Sequence, residues 1–274
     1  MIKYQKYFKI ITYLVISQSF YSFADETNSV DELIIQSTTS TRDSGFYDYI
    51  IPKFNEKYSI IVKVIAVGTG QAINNARNCD GDILIVHSKE EEMNFIDSGH
   101  GTNRETLMYN DFIIIGPKSD PLNLSSLYDP AIVFGKLSNG HKFISRGDDS
   151  GTHRAEIKTW EKFDYNPDEF SQQFYYETGQ GMGATLNIAI GLNAYTFTDR
   201  ATWIHFKNKA NHKIVFQNNR LLSNEYGIIL VNPEHCPDIN LASAKLFQEW
   251  ILSDNGRMLI NNYKIDNKQL FYAE

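Results

Sequence analysis

Short apolar runs separated by polar turns recur along the chain from residue 32 onward. The segment 60–67 is rich in β-branched residues and ends at Gly68-Thr69-Gly70, the pattern of a buried strand that leads into a turn. Comparable runs predict further strands at 32–36, 83–86, 112–115, 132–134, 142–145, 194–198, 213–216 and 226–231.

Between these runs, apolar residues recur at the three- and four-residue spacing of a helix face. Phe46, Ile50 and Phe54 form one such face, and Pro52 inside it is expected to kink the helix or to mark a new first turn. Further helices are predicted at 71–78, at 90–96, across Ile157, Trp160 and Phe163, and, as one long amphipathic helix, at 242–259.

Buried strands that alternate with helices predict an α/β fold, in which helices flank a mainly parallel sheet. In such sheets the loops after the carboxyl ends of the strands carry the ligand site. Three loops rich in hydroxyls or glycine lie between a predicted strand and a helix start, at 37–41, 67–71 and 145–152. We therefore expect the functional residues in these three loops.

The first 24 residues have a different pattern. Lys3, Lys6 and Lys9 give a positive start, and an apolar run follows at 10–16. Ser22-Phe23-Ala24 places small residues at the two positions that a signal peptidase reads. The run is short for a membrane helix, although an uncleaved anchor is the alternative. We expect a signal peptide at 1–24 that is cleaved near Ala24.

Composition and charge exclude several classes of protein. Of the 274 residues, 42% are hydrophobic and 22% are charged, the mix of a globular protein rather than a disordered chain. Lys+Arg number 26 and Asp+Glu 33, so no basic excess is present to hold nucleic acid through its phosphates. The seven His residues lack the spacing of a zinc site, and we expect no metal centre.

The two cysteines, Cys79 and Cys236, are far apart in sequence. An exported protein meets an oxidising compartment, where one bridge between them can form, but the sequence does not decide whether it does. Cys79 lies outside the three loops, and we interpret it as a small buried side chain.

The three loops suit an anion. A helix N-terminus presents unpaired backbone N–H groups and the positive end of the helix dipole. Ser and Thr hydroxyls add neutral donors, and glycine lets the backbone approach closely. A protein of net charge −7 can therefore still surround a small oxyanion with local donors. The alternative is that these residues only cap helices and form turns.

Arg146 is the one full positive charge within the loops, and Ser150-Gly151-Thr152 follows it by four to six residues. Its guanidinium can bind two oxygens of a tetrahedral anion. Asp148 is placed to hold that guanidinium. The alternative for Asp148 and Asp149 is that acids commonly stabilise a helix N-terminus.

Enzyme interpretations are weaker. The segment 147–151 is similar to the G-D-S-G-G of serine proteases, but it has one Asp too many and an α/β pattern around it. Ser150 and His153 are three residues apart on a helix, which does not give a triad. Gly68 and Gly70 lack the third glycine of a dinucleotide loop. An exported serine hydrolase that uses Ser150 remains an alternative, and no cofactor is expected.

Six blocks of the sequence resemble the periplasmic tungstate-binding proteins (TupA type) of ABC importers. They stand in the family's order from residue 32 to about 231, over most of the chain. The blocks are TTSTRDSG at 38–45, VIAVGTGQA at 64–72, MYNDF at 108–112, SRGDDSGTH at 145–153, ETGQGMGAT at 177–185 and YTFTDR at 195–200.

The resemblance implies a two-lobed type II periplasmic binding protein with the ligand cleft between the lobes. Lobe 1 would comprise 25–113 and 227–274, and lobe 2 would comprise 114–226, with crossing strands near 112–117 and 226–231. Such a monomeric protein would capture tungstate, or molybdate, in the periplasm and deliver it unchanged to a membrane permease. The Arg-x-x-x-Ser-Gly-Thr pattern also resembles phosphate-binding relatives, so a phosphate or sulfate receptor is the alternative within this fold.

The resemblance also implies the ligand donors, with tungsten bound only as its oxyanion. They are Thr39, Ser40, Thr69, Arg146, Ser150, Gly151 and Thr152, and Thr38 and Gly70 match less closely. Tungstate carries no proton near neutral pH and needs donors only, whereas a protonated phosphate gains from a carboxylate acceptor. The nearby acids are Asp82, Asp148 and Asp149, and we expect them to contact Arg146 or backbone instead.

Overall fold

A computed structural model of the protein describes residues 31–170, 174–217 and 221–274. The predicted signal peptide at 1–24, with its cleavage near Ala24, lies outside these ranges. Within them, the helices are all too short or too polar to cross a bilayer.

The strands of the described ranges are β1 (Glu32–Thr38), β2 (Ile61–Val67), β3 (Ile83–Val86), β4 (Gly101–Pro117), β5 (Phe143–Ser145), β6 (Tyr175–Glu177), β7 (Tyr195–Asp199), β8 (His212–Gln217), β9 (Ser223–Val231), β10 (Lys264–Ile265) and β11 (Lys268–Gln269). Nine of them form one sheet in the order β2-β1-β3-β9-β4-β7-β5-β6, with β8 beside β4, and the short strands β10 and β11 form a separate hairpin.

Helices connect and cover these strands. They are α1 (Thr39–Asp43), α2 (Phe46–Tyr58), α3 (Thr69–Arg77), α4 (Lys89–Asp97), α5 (Pro130–Leu137), α6 (Gly151–Lys162), α7 (Met182–Gly191), α8 (Arg200–His205), α9 (Leu241–Leu252) and α10 (Asp254–Asn262). The alternation of strands and helices confirms the predicted α/β class.

The sheet has two halves that share the long strand β4. In the first half, β1 pairs in parallel with β2 and β3, and β9 pairs with β3 and with β4 as far as Asp111. In the second half, β5 pairs in parallel with β6 and β7, and β7 pairs with β4 from Phe112 onward. The main partner of β4 therefore changes between Asp111 and Phe112.

Each half has its own hydrophobic core on both faces of the sheet. On one face of the first half, Phe54 of α2 and Trp250 of α9 pack over β1 and β9, and Phe95 of α4 packs in a separate cluster with β3. In the second half, Trp160 of α6 packs with Phe143 of β5, while α7 packs against β4 in another cluster. The loops at the strand ends therefore stand on two halves with largely separate cores, although Ala201 and Ile204 of α8 pack with the core of the first half.

One predicted strand is wrong. The segment 132–134 belongs to helix α5, whose N-cap Asp129 accepts a hydrogen bond from the Ala131 N–H at 2.9 Å. Pro130 follows at the first helical position, where its fixed φ suits a helix and its missing N–H costs nothing. This capping signal outweighs the apolar run.

The single long helix predicted at 242–259 is also wrong. Ser253 ends α9 and caps α10, and its Oγ accepts from the Gly256 N–H at 3.2 Å. Pro52, by contrast, lies inside α2 without beginning a new helix. The helix α7 was not predicted, and β4 is much longer than the predicted strand at 112–115.

Cys79 and Cys236 form a disulfide with a Cα–Cα distance of 5.4 Å, which ties the end of α3 to the segment after β9. The interpretation of Cys79 as a buried side chain is wrong, because it lies exposed in a turn with φ of 64°. Among the described residues, these two cysteines and His235 form the one group with metal-ligand spacing, and the bridge occupies both sulfurs.

Candidate functional site

Each of the three predicted loops connects the end of a strand to the start of a helix. Thr38 ends β1 and Thr39 begins α1, while Thr69 begins α3 directly after β2. The third loop runs from the end of β5 to Gly151, the first residue of α6. Three helix N-termini are therefore brought together, two from the first half of the sheet and one from the second.

The Arg146 guanidinium joins the halves of the sheet. Its side chain is only 1% exposed, and its Nη1 donates to Ser40 Oγ at 2.9 Å. Its Nη2 donates to Thr39 Oγ1 at 3.2 Å and to Asp148 Oδ2 at 2.5 Å. A buried cation is thus held between two hydroxyls of the first half and one carboxylate of its own loop.

Two further contacts link the same loops. The Gly151 N–H donates to Thr69 Oγ1 at 2.8 Å, and the Ser40 and Thr152 hydroxyls lie 3.3 Å apart. The contacts across the two halves therefore form one linked set and one pair. The set is Thr39, Arg146, Ser40 and Thr152, and the pair is Thr69 and Gly151.

The other predicted residues lie at the edge of this group. Ser150 Oγ accepts from the His153 N–H at 3.3 Å and so caps α6, and Thr38 Oγ1 accepts from the Thr41 N–H at 3.3 Å and caps α1. A Cβ built on Gly70 would lie 3.7 Å from a guanidinium nitrogen of Arg154. Gly70 therefore faces the outer part of the 145–152 loop.

The backbone of that loop depends on glycine at two points. Gly147 has a φ of 57°, and a Cβ there would clash with the Cβ of Glu177. A Cβ on Gly151 would lie 2.8 Å from His87 Cε1 and 3.0 Å from Thr69 Oγ1. Only glycine lets α6 begin this close to α3.

The carboxylates of the three acids near the site, Asp82, Asp148 and Asp149, contact groups other than the Ser and Thr hydroxyls of the loops. Asp148 contacts Arg146 and accepts from the Ser150 N–H at 3.3 Å, as expected. Asp149 pairs with Arg154 at 2.6 and 2.8 Å, so the expectation that it contacts Arg146 or backbone is wrong for its carboxylate. Asp82 accepts from the backbone N–H groups of Ile34 and Asn240, both at 2.7 Å.

His87 is a neighbour of the site that sequence reasoning missed. It follows β3 directly and is buried, with its Nδ1 2.9 Å from Asn224 Oδ1. Burial lowers the pKa of His87 to about 4, the Asn224 bond opposes that shift, and the Arg146 charge adds to it. The ring is therefore neutral at pH 7. The rule that ligand residues follow strand ends would have pointed to it.

Asp199 is the second missed residue. It is fully buried at the end of β7, where its Oδ1 accepts from the Thr202 N–H at 2.8 Å and from Asn110 Nδ2 at 3.4 Å. Burial raises the pKa of its carboxyl, against these bonds and the Arg146 charge. Thr202 Oγ1 in turn donates to the Ser40 carbonyl at 3.3 Å. Asp199 is therefore linked to the first loop through Thr202.

The arrangement can donate hydrogen bonds to an anion. A guanidinium, several hydroxyls and a helix-terminal N–H converge in a buried place. Ser150 Oγ contacts the backbone N–H of His153 rather than its imidazole, whose Nδ1 accepts from the Asp149 N–H at 3.2 Å. The Ser150–His153 pair thus lacks the nucleophile–base contact of a hydrolase.

Comparison with known proteins gives a consistent result. Residues 24–255 match the family described as the PBP superfamily domain. The tungstate-binding protein TupA of Peptoclostridium acidaminophilum is 42% identical over 242 residues, which cover 87% of this chain and 84% of that protein.

Two solved structures are similar over nearly their whole length. The tungstate ABC transporter structure from Geobacter sulfurreducens is 39% identical, covers 85% of this chain and 98% of its own, and superposes with a TM-score of 0.78. The tungstate-binding protein TupA from Desulfovibrio alaskensis G20 is 38% identical, with 88% and 98% covered and a TM-score of 0.76.

Proposed function

Because this chain belongs to the PBP superfamily and, within it, to the family of the TupA tungstate-binding proteins, we propose that it captures tungstate, with molybdate as a close second ligand. It delivers the anion to the permease of an ABC importer. The protein acts in the periplasm. Residues 1–24 form the signal peptide that directs its export and is removed near Ala24.

The observation that carries this proposal is the burial of Arg146 among hydroxyls of the opposite half of the sheet. A doubly charged oxyanion gives up strong hydration when it enters a cleft, so it needs several fixed donors in return. Arg146 supplies two N–H groups of one fork, directed at Ser40 and Thr39. An anion placed between the halves would receive the same donors in place of these hydroxyl oxygens.

The proposed ligand set is Thr39, Ser40, Thr69, Arg146, Ser150, Gly151 and Thr152, with Thr38 and Gly70 at its edge. The hydroxyls of Thr69 and Ser150 accept backbone N–H bonds, which leaves each hydroxyl hydrogen able to donate to an anion. The Gly151 N–H, which now donates to Thr69, would turn to an anion oxygen as the loops part to admit it.

The orientation of the acids favours tungstate over phosphate. A protonated phosphate gains from a carboxylate that accepts its hydrogen, whereas tungstate offers none. Asp148 is engaged by Arg146, Asp149 by Arg154, and Asp82 by backbone N–H groups. A phosphate receptor is therefore the less favoured member of the same class. Sulfate, like tungstate, carries no proton near neutral pH, and it is disfavoured by the likeness to tungstate-binding relatives.

The division of the chain follows the same proposal. Lobe 1 comprises 25–113 and 227–274, and lobe 2 comprises 114–226. The change of partner along β4 between Asp111 and Phe112 supports a boundary near residue 113. The protein acts as a monomer that closes around its ligand, and it catalyses no reaction. The lack of a Ser150–imidazole contact speaks against the hydrolase alternative.

Calorimetric titration of the mature chain with tungstate, molybdate, sulfate and phosphate tests the function. We expect tight binding of tungstate and molybdate, and no heat with sulfate or phosphate. Tight binding of phosphate alone would preserve the site but overturn the ligand. No binding of any of the four would overturn the proposed function, and ester hydrolysis that Ser150→Ala abolishes would replace it with the enzyme alternative.

A further inference from the structure

Two helices from different halves of the sheet face one another with opposite charges. Phe95 of α4 packs in the first half and Trp160 of α6 packs in the second. The first turn of α4 carries Glu90 and Glu91, and α6 carries Arg154 and Lys158 one turn apart. The facing charges therefore belong to separately packed bodies.

The charges form two ion pairs between these helices, which we call the α4–α6 ion pairs. Lys158 Nζ lies 2.6 Å from Glu90 Oε2, and the Arg154 guanidinium contacts Glu91 Oε1. Arg154 also holds Asp149 through two bonds of 2.8 and 2.6 Å. Because Asp149 stands in the 145–152 loop, Arg154 ties that loop directly to α4.

The two pairs differ in exposure. The side chains of Lys158 and Glu90 are 61% and 70% exposed, whereas those of Arg154 and Glu91 are 27% and 25% exposed. Water and salt screen the first pair strongly and the second less. The Arg154–Glu91 pair should therefore contribute most of the electrostatic attraction between α4 and α6.

These contacts exist only while the halves are together. An anion held between the two halves leaves after they separate, and separation also breaks the α4–α6 ion pairs. An interaction made in the closed form alone lowers its free energy relative to the open form and shifts the population toward closure. Its loss should appear in the dissociation rate, where most affinity differences between related complexes lie.

We propose that Arg154, through Glu91, is a positioning residue that sets how long the anion is retained, with Lys158–Glu90 as a weaker second tie. The inference rests on the proposed function and adds to it that retention depends on charges outside the anion's own donors. None of the four side chains belongs to the proposed ligand set.

The test compares tungstate dissociation from the natural chain and from Glu90→Gln/Glu91→Gln by stopped-flow tryptophan fluorescence. We expect the double variant to release tungstate about three- to tenfold faster, the range of one partly shielded and one exposed ion pair. Added salt should speed release from the natural chain more than from the variant. Removing acids near the cleft can also speed the approach of an anion, so the dissociation rate decides.

Two controls separate the ion pairs from general charge effects. Glu32→Gln removes an exposed ion pair with Lys63 that lies within the first half, and it should leave release unchanged. The exchange Glu90→Lys/Lys158→Glu keeps the net charge and restores the outer pair, so it should release tungstate more slowly than Lys158→Glu alone.

The outcomes are distinct. A double variant that releases tungstate at the natural rate overturns this inference and leaves the proposed function standing. A natural chain that binds no tungstate overturns the proposed function. In that case small-angle scattering of the anion-free proteins decides the inference, because the double variant should have the larger radius of gyration and equal radii would overturn it.

Discussion

The backbone N–H of Gly151 donates to Thr69 Oγ1 at 2.8 Å, so the first turn of α6 touches the first turn of α3. The two residues are 82 positions apart and belong to different halves of the sheet. This contact is made by a backbone atom, and the space around it is limited by His87. A substitution at Gly151 therefore tests whether binding needs the contact between the first turns of α6 and α3.

Gly151→Ala should weaken tungstate binding at least tenfold. The added Cβ would lie 2.8 Å from His87 Cε1 and 3.0 Å from Thr69 Oγ1, so α6 has to move away from α3. Calorimetry measures the change, with Gly191→Ala as the matched control. A Cβ at Gly191, at the end of α7, has no described atom within 4 Å. Equal affinities of the two variants would show that the contact is not needed.

Arg146→Ala should also weaken binding more than tenfold, because charge-assisted bonds in a closed cleft are strong. Arg146→Lys keeps the charge but loses the fork that reaches Ser40 and Thr39, so its affinity should lie between those of Arg146→Ala and the natural chain. Both are measured by titration after circular dichroism confirms the fold. A dissociation constant unchanged in Arg146→Ala would remove this residue from the site.

Thr152→Ala should cost about 1 kcal/mol or more of binding free energy, since a buried donor beside Ser40 is lost. Thr152→Ser keeps the hydroxyl and serves as the control, and it should bind within about twofold of the natural chain. Thr39→Ala should behave like Thr152→Ala. Two neutral results from the alanine variants would mean that these loops do not close on the anion.

Glu156 gives a prediction for the pH dependence of stability. Burial raises its pKa to about 7, against hydrogen bonds from the Tyr175 hydroxyl and the Trp160 indole N–H. A carboxyl that is neutral when folded adds stability at pH values below its ordinary pKa, and this stability is lost as the pH rises toward and through about 7. The loss is on the order of 3 kcal/mol at most.

Glu156→Gln should remove that loss, because the amide oxygen can still accept from the Tyr175 hydroxyl. Melting temperatures of the natural chain and the variant between pH 5 and pH 8 measure it, and the gap between them should widen in favour of the variant as the pH rises. A gap that stays constant over this range would show that Glu156 does not titrate there.

His87 should act in the opposite direction. Its pKa falls to about 4 in the folded chain, mainly through burial, so the unfolded chain binds the proton more readily. Its contribution is present above the ordinary pKa of about 6.5 and is lost as the pH falls through about 4. His87→Gln should therefore melt with a weaker dependence on pH between 6.5 and 4. An equally steep dependence in the variant would exclude His87 as the cause.

The sequence predicted the three loops that the structure brings together because their signals are local. A strand end, a run of hydroxyls and a helix start occur together around Thr39, Thr69 and Gly151, and each is legible within about ten residues. His87 and Asp199 escaped because their roles depend on which strand ends become neighbours. The contacts His87–Asn224 and Asn110–Asp199 span 137 and 89 positions, and no local pattern encodes them.

The errors in secondary structure have equally specific causes. The strand prediction at 132–134 followed the apolar run and ignored the capping signal of Asp129 and Pro130, which in the structure begins α5. The single helix predicted at 242–259 likewise ignored Ser253, a capping residue inside an otherwise helical pattern. In both places one hydrogen bond at a helix start decided the boundary, and a window of ten residues dilutes such a signal.

The Cys79–Cys236 bridge closes a covalent ring across 157 positions, and the whole second half of the sheet lies on that ring. A proteolytic cut anywhere between β5 and β7 would therefore leave the two chain segments of the first half bonded to each other. The bridge also lowers the conformational entropy of the unfolded chain. For a ring this long, that loss stabilises the folded state by about 4 to 5 kcal/mol. The two chain segments of the first half are thus linked covalently, while the second half is held by strand pairing and packing.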